Sequence, residues 1–323
     1  MNLPSLSIMM PVFNGERYLR ESIASLLEQT YRDFELIIVN DGSTDGTLQV
    51  TREFADPRIR LLDRSLNRGV VYSRNEALDA AQGEFLAFFD ADDVAHPDKF
   101  RIQLQYLRHH PELGLVGSTA RRIGPRGEHL GHWKLHGGPD ELIANMLFHN
   151  AFVNSSVVFR KEALDGLRFV EGLAPCEDYL FWWMMMQHNR ASILGPPLLS
   201  YRVHGQSLTG SQPERLQHCD REVARNILTG AGMEPTENEL DGHLGLKYGR
   251  RLKHAGELSA LRSWFLKLAR EQRSAPRQVM RRVLINRWLK VIYLCRPRLL
   301  LMLSAGADLR FWAELLRSYP LHR

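Results

Sequence analysis

"FLAFFDADDVAHPDKF" (residues 85–100) starts as an apolar strand and ends in a helix, with three carboxylates, Asp90, Asp92 and Asp93, at the join. Like charges this close raise one another's pKa unless a cation sits between them. A divalent metal resolves the conflict, and hard oxygen ligands suit Mg²⁺ or Mn²⁺. The plainer reading is that these acids cap the helix predicted from Pro97, a residue suited to a first helical turn.

Working outward, "LSIMMP" (6–11), "RIRLLD" (58–63) and "LGLVGS" (113–118) are further short apolar runs, and "FELIIVNDGSTDGT" (34–47) is a strand running into a turn. Helical spacing separates several of them, with Leu19, Ile23, Leu26 and Leu27 on one face and a second helix at about 70–82. Near-continuous apolar strands alternating with helices predict an α/β fold with a parallel central sheet covered on both faces. Ligands then bind beyond the carboxyl ends of the strands. Asn14, Asp41 and Asp90–Asp93 follow the first, second and fourth strands and are expected at one rim. "SSVVFR" (155–160) reads as a strand and "EDYLFWWMMMQHN" (177–189) as a buried helix.

The 323 residues carry a net charge of +5, unevenly spread. Residues 1–213 hold a net −5 and residues 214–323 a net +10, which predicts two parts with different partners. The three cysteines are far apart, with no zinc spacing, and a reducing cytoplasm is the expected setting. The N-terminus shows no signal peptide, and no run of about 18 apolar residues occurs.

Five segments in order carry a resemblance: "SIMMPVFNGERYLRESIASLLEQTY", "FELIIVNDGSTDGT", "NRGVVYSRNEALDAAQGEFLAFFDADD", "CEDYLFW" and "YRVHGQS". From about Leu6 to Thr209 the chain resembles the inverting glycosyltransferases of family 2, with the Rossmann-like GT-A fold. The resemblance implies a catalytic domain over 1–212, followed by a basic helical region over 213–323. It implies that Pro11, Val12, Phe13 and Asn14 hold the donor's nucleoside and that Asp41 reads the base edge. Arg74 would lie near the base or diphosphate, and Asp90 with Ala91 at the donor's ribose. Asp92, Asp90 and His204 would meet the metal, and Arg202 would offset phosphate charge. Asp178 matches the catalytic base that takes the acceptor hydroxyl's proton, with Glu177 its neighbour. Asp93 is read as structural and Asp45 as a helix cap near Thr47.

The implied function is metal-dependent, inverting transfer from a nucleoside-diphosphate sugar, UDP favoured, to a glycan or lipid-linked hydroxyl in cell-surface polysaccharide, lipopolysaccharide or glycolipid synthesis. Two alternatives stay open: a nucleotidyltransferase, against which the absence of a Gly-rich basic loop counts, and a non-catalytic sugar-nucleotide binder. A nucleic-acid partner is not expected, since no recognition motif accompanies the basic charge. Residues 277–317 mix Val283, Leu284, Trp288, Ile292 and Leu294 with Arg281, Arg282, Arg287 and Lys290. That pattern suits either a peripheral contact on the cytoplasmic face of a membrane or packing in a bundle or homodimer.

Overall fold

The computed structural model describes residues 3–133, 137–205, 213–247 and 255–294. In chain order, the first part runs β1 (Leu6–Val12), α1 (Glu16–Leu27), β2 (Phe34–Asp41), α2 (Thr47–Arg52), β3 (Ile59–Arg64) and α3 (Val70–Ala80). It continues with β4 (Phe85–Phe88), β5 (Val94–Ala95), α4 (Lys99–His109), β6 (Leu113–Ile123) and β7 (His129–Trp133). After α5 (Pro139–Met146) come β8 (Val158–Arg160), α6 (Glu177–His188) and β9 (Arg190–Arg202). Four helices complete the described chain: α7 (Pro213–Gly230), α8 (Glu237–Lys247), α9 (Ala255–Glu271) and α10 (Arg277–Leu294).

The chain forms two compact units, one of residues 1–138 with 151–219, the other of 139–150 with 220–323. The first is built on a sheet in the order β3-β2-β1-β4-β8-β6-β9-β5, with β7 paired to β6. β3, β2, β1 and β4 are mutually parallel, as their continuous apolar character predicts. Beyond β4 the sheet is mixed, because β8 runs antiparallel to both β4 and β6, whereas β9 runs parallel to β6. α1 packs on this sheet through Leu19, Ile23 and Leu26, one apolar stripe at helical spacing.

Two local expectations are corrected, and one strand is added. The helix after the acidic turn starts at Lys99 rather than Pro97. Pro97 belongs to a turn, with its carbonyl accepting from the Thr30 N–H at 2.9 Å. Residues 155–160 do not form one strand: Asn154–Ser156 is a single 3₁₀ turn, and only Val158–Arg160 is extended. β9 was hidden by "GPP" (195–197), where the β6–β9 register slips between Ser118 and Ala120 and Thr119 Oγ1 donates to the Gly195 carbonyl.

Gly42 closes β2 at φ +68°, and a Cβ there would lie 2.6 Å from the Asn67 nitrogen and the Leu66 carbonyl carbon. Neither backbone atom can swing away. Gly42→Ala is therefore expected to destabilise the first unit by about 1–3 kcal/mol, read as a lower urea midpoint at unchanged slope.

The second unit is helical. α5, α9 and α10 bury Leu142, Met146, Trp264, Phe265, Met280 and Leu284. His243 sits inside it, with Nε2 2.7 Å from the Leu147 carbonyl and Nδ1 accepting from Trp264 Nε1 at 3.1 Å. Val283, Leu284 and Trp288, offered by the sequence as a membrane or dimer face, are all buried here. That favours the packing alternative for this part of the stretch. The side chains of Ile292 and Leu294, and residues 295–317, lie outside what the structure describes.

Candidate active site

The strand ends converge as expected from their order. Phe89 N–H donates to the Met9 carbonyl at 2.9 Å, seating the end of β4 beside β1. A Cβ on Gly15 would lie 3.9 Å from the Ala91 Cβ, so the loop after β1 runs beside the acidic turn. Val12 is buried, Pro11 is partly covered, and Phe13 is 49% exposed, its ring open to a flat ligand. Asn14 adopts φ 50°, a left-handed conformation that Asn tolerates. Its Oδ1 accepts from Thr44 N at 2.8 Å, tying the loops after β1 and β2 together. Asp45 caps α2 by accepting from Thr47 N at 3.0 Å. Asp41 is buried, and its two oxygens accept from Arg68 N at 2.9 Å and Gly69 N at 2.8 Å, so it anchors the turn that starts α3.

The acidic turn is held by a network that only the fold assembles. Arg74, buried on α3, donates to Glu177 Oε1 at 2.7 Å and to Asp90 Oδ1 at 3.2 Å. Its guanidinium lies 5.3 Å from the Phe169 ring centre. Burial alone would lower the Arg74 pKa, but Glu177, Asp90 and Asp178 outweigh it and keep it charged. Arg74 is thus a clamp between β4 and the first turn of α6. Asp90 also accepts from Asn154 Nδ2 at 3.0 Å, and its N–H donates to Ser155 Oγ at 2.9 Å. Burial raises the Asp90 carboxyl, Arg74 offsets part of this, and Asp92 raises it again.

Asp93 is fully buried and accepts from the Arg202 N–H at 2.9 Å. Burial, then Asp92 and Asp90, push its carboxyl well above the usual range, and its Oδ2 has no partner among the described residues. Arg202 is placed otherwise than a phosphate contact requires. It is buried and spends its guanidinium on the Asp92 carbonyl at 2.8 Å, the Gly124 carbonyl at 3.2 Å and Glu21 at 2.6 Å. It braces the turn from behind. His204 Nε2 lies 2.8 Å from Asp92 Oδ2, and both side chains keep some exposure.

Asp178 follows Glu177 at the start of α6, where an acid is favoured by the helix dipole. Burial, then the Glu177 charge, raise its carboxyl to about 7 against the pull of Arg74. Behind it α6 is apolar all round, with Phe181, Trp182 and Trp183 buried and Phe181 stacked on Phe169 at 4.0 Å. The base candidate therefore stands on a rigid element. Sequence reading missed Asn154 and Ser155, because their apolar surroundings suggested a strand, and it missed Glu21 because an acid on an amphipathic helix looks like solvated surface.

Among the described residues no three His, Cys, Asp or Glu side chains are gathered closely enough to hold a metal unaided. Asp92 and His204 nonetheless offer one oxygen and one nitrogen at a partly open position. Magnesium-like ions commonly take one or two protein ligands and complete their shell with substrate phosphates and water. The Asp92 carboxylate fits such an ion, and the softer His204 nitrogen suits Mn²⁺ better than Mg²⁺.

A half-parallel sheet with this acidic turn beyond its fourth spatial strand and a carboxylate-led helix beside it is the arrangement expected of a glycosyltransferase of the GT-A type. The profile of Glycosyl transferase family 2 matches residues 7–167. An uncharacterised glycosyltransferase of Haemophilus influenzae is 31% identical over 204 residues, 60% of this chain and 76% of that protein. The chain belongs to glycosyl transferase family 2. The Escherichia coli protein WfgD, a UDP-Glc:α-D-GlcNAc-diphosphoundecaprenol β-1,3-glucosyltransferase, is 29% identical over 66% of this chain and 82% of its own length. Among solved structures, S. aureus TarS (residues 1–349) in complex with UDP-GlcNAc superposes with a TM-score of 0.61 at 21% identity, covering 90% of this chain and 89% of that one. The mannosyltransferase PcManGT of Pyrobaculum calidifontis, with GDP-Man and Mn²⁺, gives 0.54 at 18% identity, covering 91% and 88%. These two carry the fold alone.

Proposed function

We propose that the first unit, residues 1–138 with 151–219, transfers a sugar, with inversion, from a nucleoside-diphosphate donor to a hydroxyl acceptor, assisted by Mn²⁺ or Mg²⁺. The observation that carries this reading is the Arg74 clamp. One buried guanidinium fixes Asp90 of the acidic turn and Glu177, the neighbour of Asp178, in a single frame. Donor and base are then registered to each other, which is what positioning contributes to transfer.

In this mechanism Phe13 supplies a face for the base, and the main chain from Pro11 to Asn14 borders the nucleoside. Asp41 reads the base edge while shaping the turn before α3. Asp90, with Ala91, faces the ribose. Asp92 and His204 would hold the divalent ion, with Asp90 near it, and the bound ion neutralises diphosphate charge. Arg74 and Arg202 act behind this surface, holding the carboxylates in place. Asp178 accepts the proton of the acceptor hydroxyl as that oxygen forms its bond to C1 and the C1–O bond to the diphosphate breaks. A carboxylate near pKa 7 is well matched to that task at neutral pH. UDP is the favoured nucleotide, supported by the UDP-Glc donor of the relative WfgD. The acceptor class follows the same reasoning: WfgD is named for transfer to a sugar carried on diphosphoundecaprenol, and a lipid-linked glycan in cell-surface polysaccharide synthesis is the matching acceptor for this chain. That acceptor would place the enzyme at the cytoplasmic face of a membrane. No described helix is long and apolar enough to cross one.

Calorimetric titration with UDP, dTDP and GDP, with and without Mn²⁺, tests the donor claim. UDP is expected to bind at least about tenfold more tightly with the ion, an increment of about 1.4 kcal/mol. Asp92→Asn should abolish that increment. Binding indifferent to chelation would remove the metal from the account.

A further inference from the structure

Among the described residues of the first unit two large aromatic side chains are notably exposed, and they belong to different parts of the sheet. Phe13 follows β1, whereas Trp133, 39% exposed, ends β7. A singly exposed apolar side chain is ordinary, and what marks Trp133 is what stands beside it.

Strand register shows what lies beside it. Ala120 of β6 pairs with Trp133 on one side and with Leu199 of β9 on the other, and Arg122 pairs with Tyr201. Residues two apart on a strand share a face. Trp133 and Tyr201 therefore project from the same face, flanking β6, and their rings meet at 5.9 Å and 78°, an edge-to-face corner. Tyr201 is bound into the acidic turn through both its neighbours. Ser200 pairs with Val94, and the Arg202 N–H donates to Asp93. Arg122, on the same face, has a buried Nε with no acceptor among the described residues.

We infer that Trp133 and Tyr201 form the wall that receives the pyranose ring of the acceptor, with Arg122 as a hydrogen-bond donor to it. This rests on the glycosyltransferase reading and adds to it the acceptor's chemistry. The base must meet a hydroxyl whose carrier lies on protein next to the acidic turn. A pyranose has an apolar C–H face that suits an indole and an equatorial rim of hydroxyls that suits a phenol and a guanidinium. Burial, then Asp93, Asp90, Asp92 and Asp178, hold the Tyr201 phenol well above its ordinary pKa, so its hydroxyl stays a donor and lies within electrostatic reach of the proposed base. The nucleoside side, at Phe13, follows β1, which β4 and β8 separate from β6 in the sheet order.

Saturation-transfer-difference NMR on the full chain with UDP and Mg²⁺ tests the proposal. Methyl β-glucopyranoside, methyl β-galactopyranoside and methyl N-acetyl-β-glucosaminide serve as probes. At least one is expected to receive saturation at H1, H3 and H5, the protons of one ring face. Trp133→Ala should weaken its apparent affinity by about threefold to tenfold, the scale of a single aromatic contact. Trp133→Phe, which keeps a ring, should retain most of it, and far-UV circular dichroism confirms that both variants fold. If UDP receives saturation but no glycoside does, or if Trp133→Ala leaves the glycoside signal intact, the aromatic wall is overturned and the donor reading stands. If UDP itself receives none, the parent reading falls and this one with it.

Discussion

Asp178→Asn is expected to reduce transfer by about 10²–10⁴-fold while leaving UDP affinity in the presence of Mn²⁺ within about twofold, the range lost when a general base is removed without disturbing the binding surface. Asn keeps the shape of Asp and cannot take the proton. The pH dependence follows from the same residue. Its carboxyl is raised to about 7 in the fold, so the ionised, competent form increases as pH rises through that value. The wild-type kcat/KM should therefore fall about tenfold per unit below pH 7, and the residual rate of the variant should lack this limb. Stability should move the opposite way. A folded pKa above the unfolded one means the fold holds this proton better than the open chain does. The contribution is complete below the ordinary carboxylate pKa and is lost as pH rises to about 7. Asp178→Asn removes the cost of the buried charge, so its Tm at pH 8 should exceed that of the wild type. Normal turnover by the variant would remove Asp178 from the mechanism.

Arg74→Met is expected to have the largest effect on stability, about 3–5 kcal/mol, because it strands two carboxylates that share one buried guanidinium. Arg74→Lys should recover only part of this. An ammonium cannot direct two separate nitrogens at Glu177 and Asp90 with the same planar geometry. If the clamp also registers the acidic turn against α6, Arg74→Lys should lower kcat at temperatures where it remains folded. Urea midpoints and steady-state rates measured on the same samples separate the two losses. A variant that unfolds like the wild type would show that Glu177 and Asp90 find other partners.

The parallel half of the sheet was legible because strands buried on both faces leave continuous apolar runs, and Asn14, Asp41 and Asp90 stand at or just past the ends of three of them. The helix at α6 was legible for a similar reason, since "YLFWWMMM" has nowhere to go but a core. What the chain conceals is pairing at long range. Arg74 and Glu177 are 103 residues apart, and nothing local marks them as partners. Arg202, beside "VHGQ", looks like a free cation at a phosphate site, yet the end of β9 turns it inward onto three acceptors. β7 went unseen because "HLGHW" has an exposed, polar, glycine-broken pattern, and β9 because of its two prolines. The β7–β9 corner with Trp133 and Tyr201 was invisible for that reason.

The anomeric configuration of the first product tests the central claim most directly, and it needs no knowledge of the natural acceptor. Water can serve as acceptor during slow donor hydrolysis, so α-linked UDP-glucose, UDP-galactose and UDP-N-acetylglucosamine are incubated with the enzyme and Mg²⁺ and followed by proton NMR before mutarotation sets in. A single displacement assisted by Asp178 releases the β-anomer first, and Asp178→Asn suppresses that release. The α-anomer appearing first would mean retention, and the inverting mechanism derived from this site would be wrong.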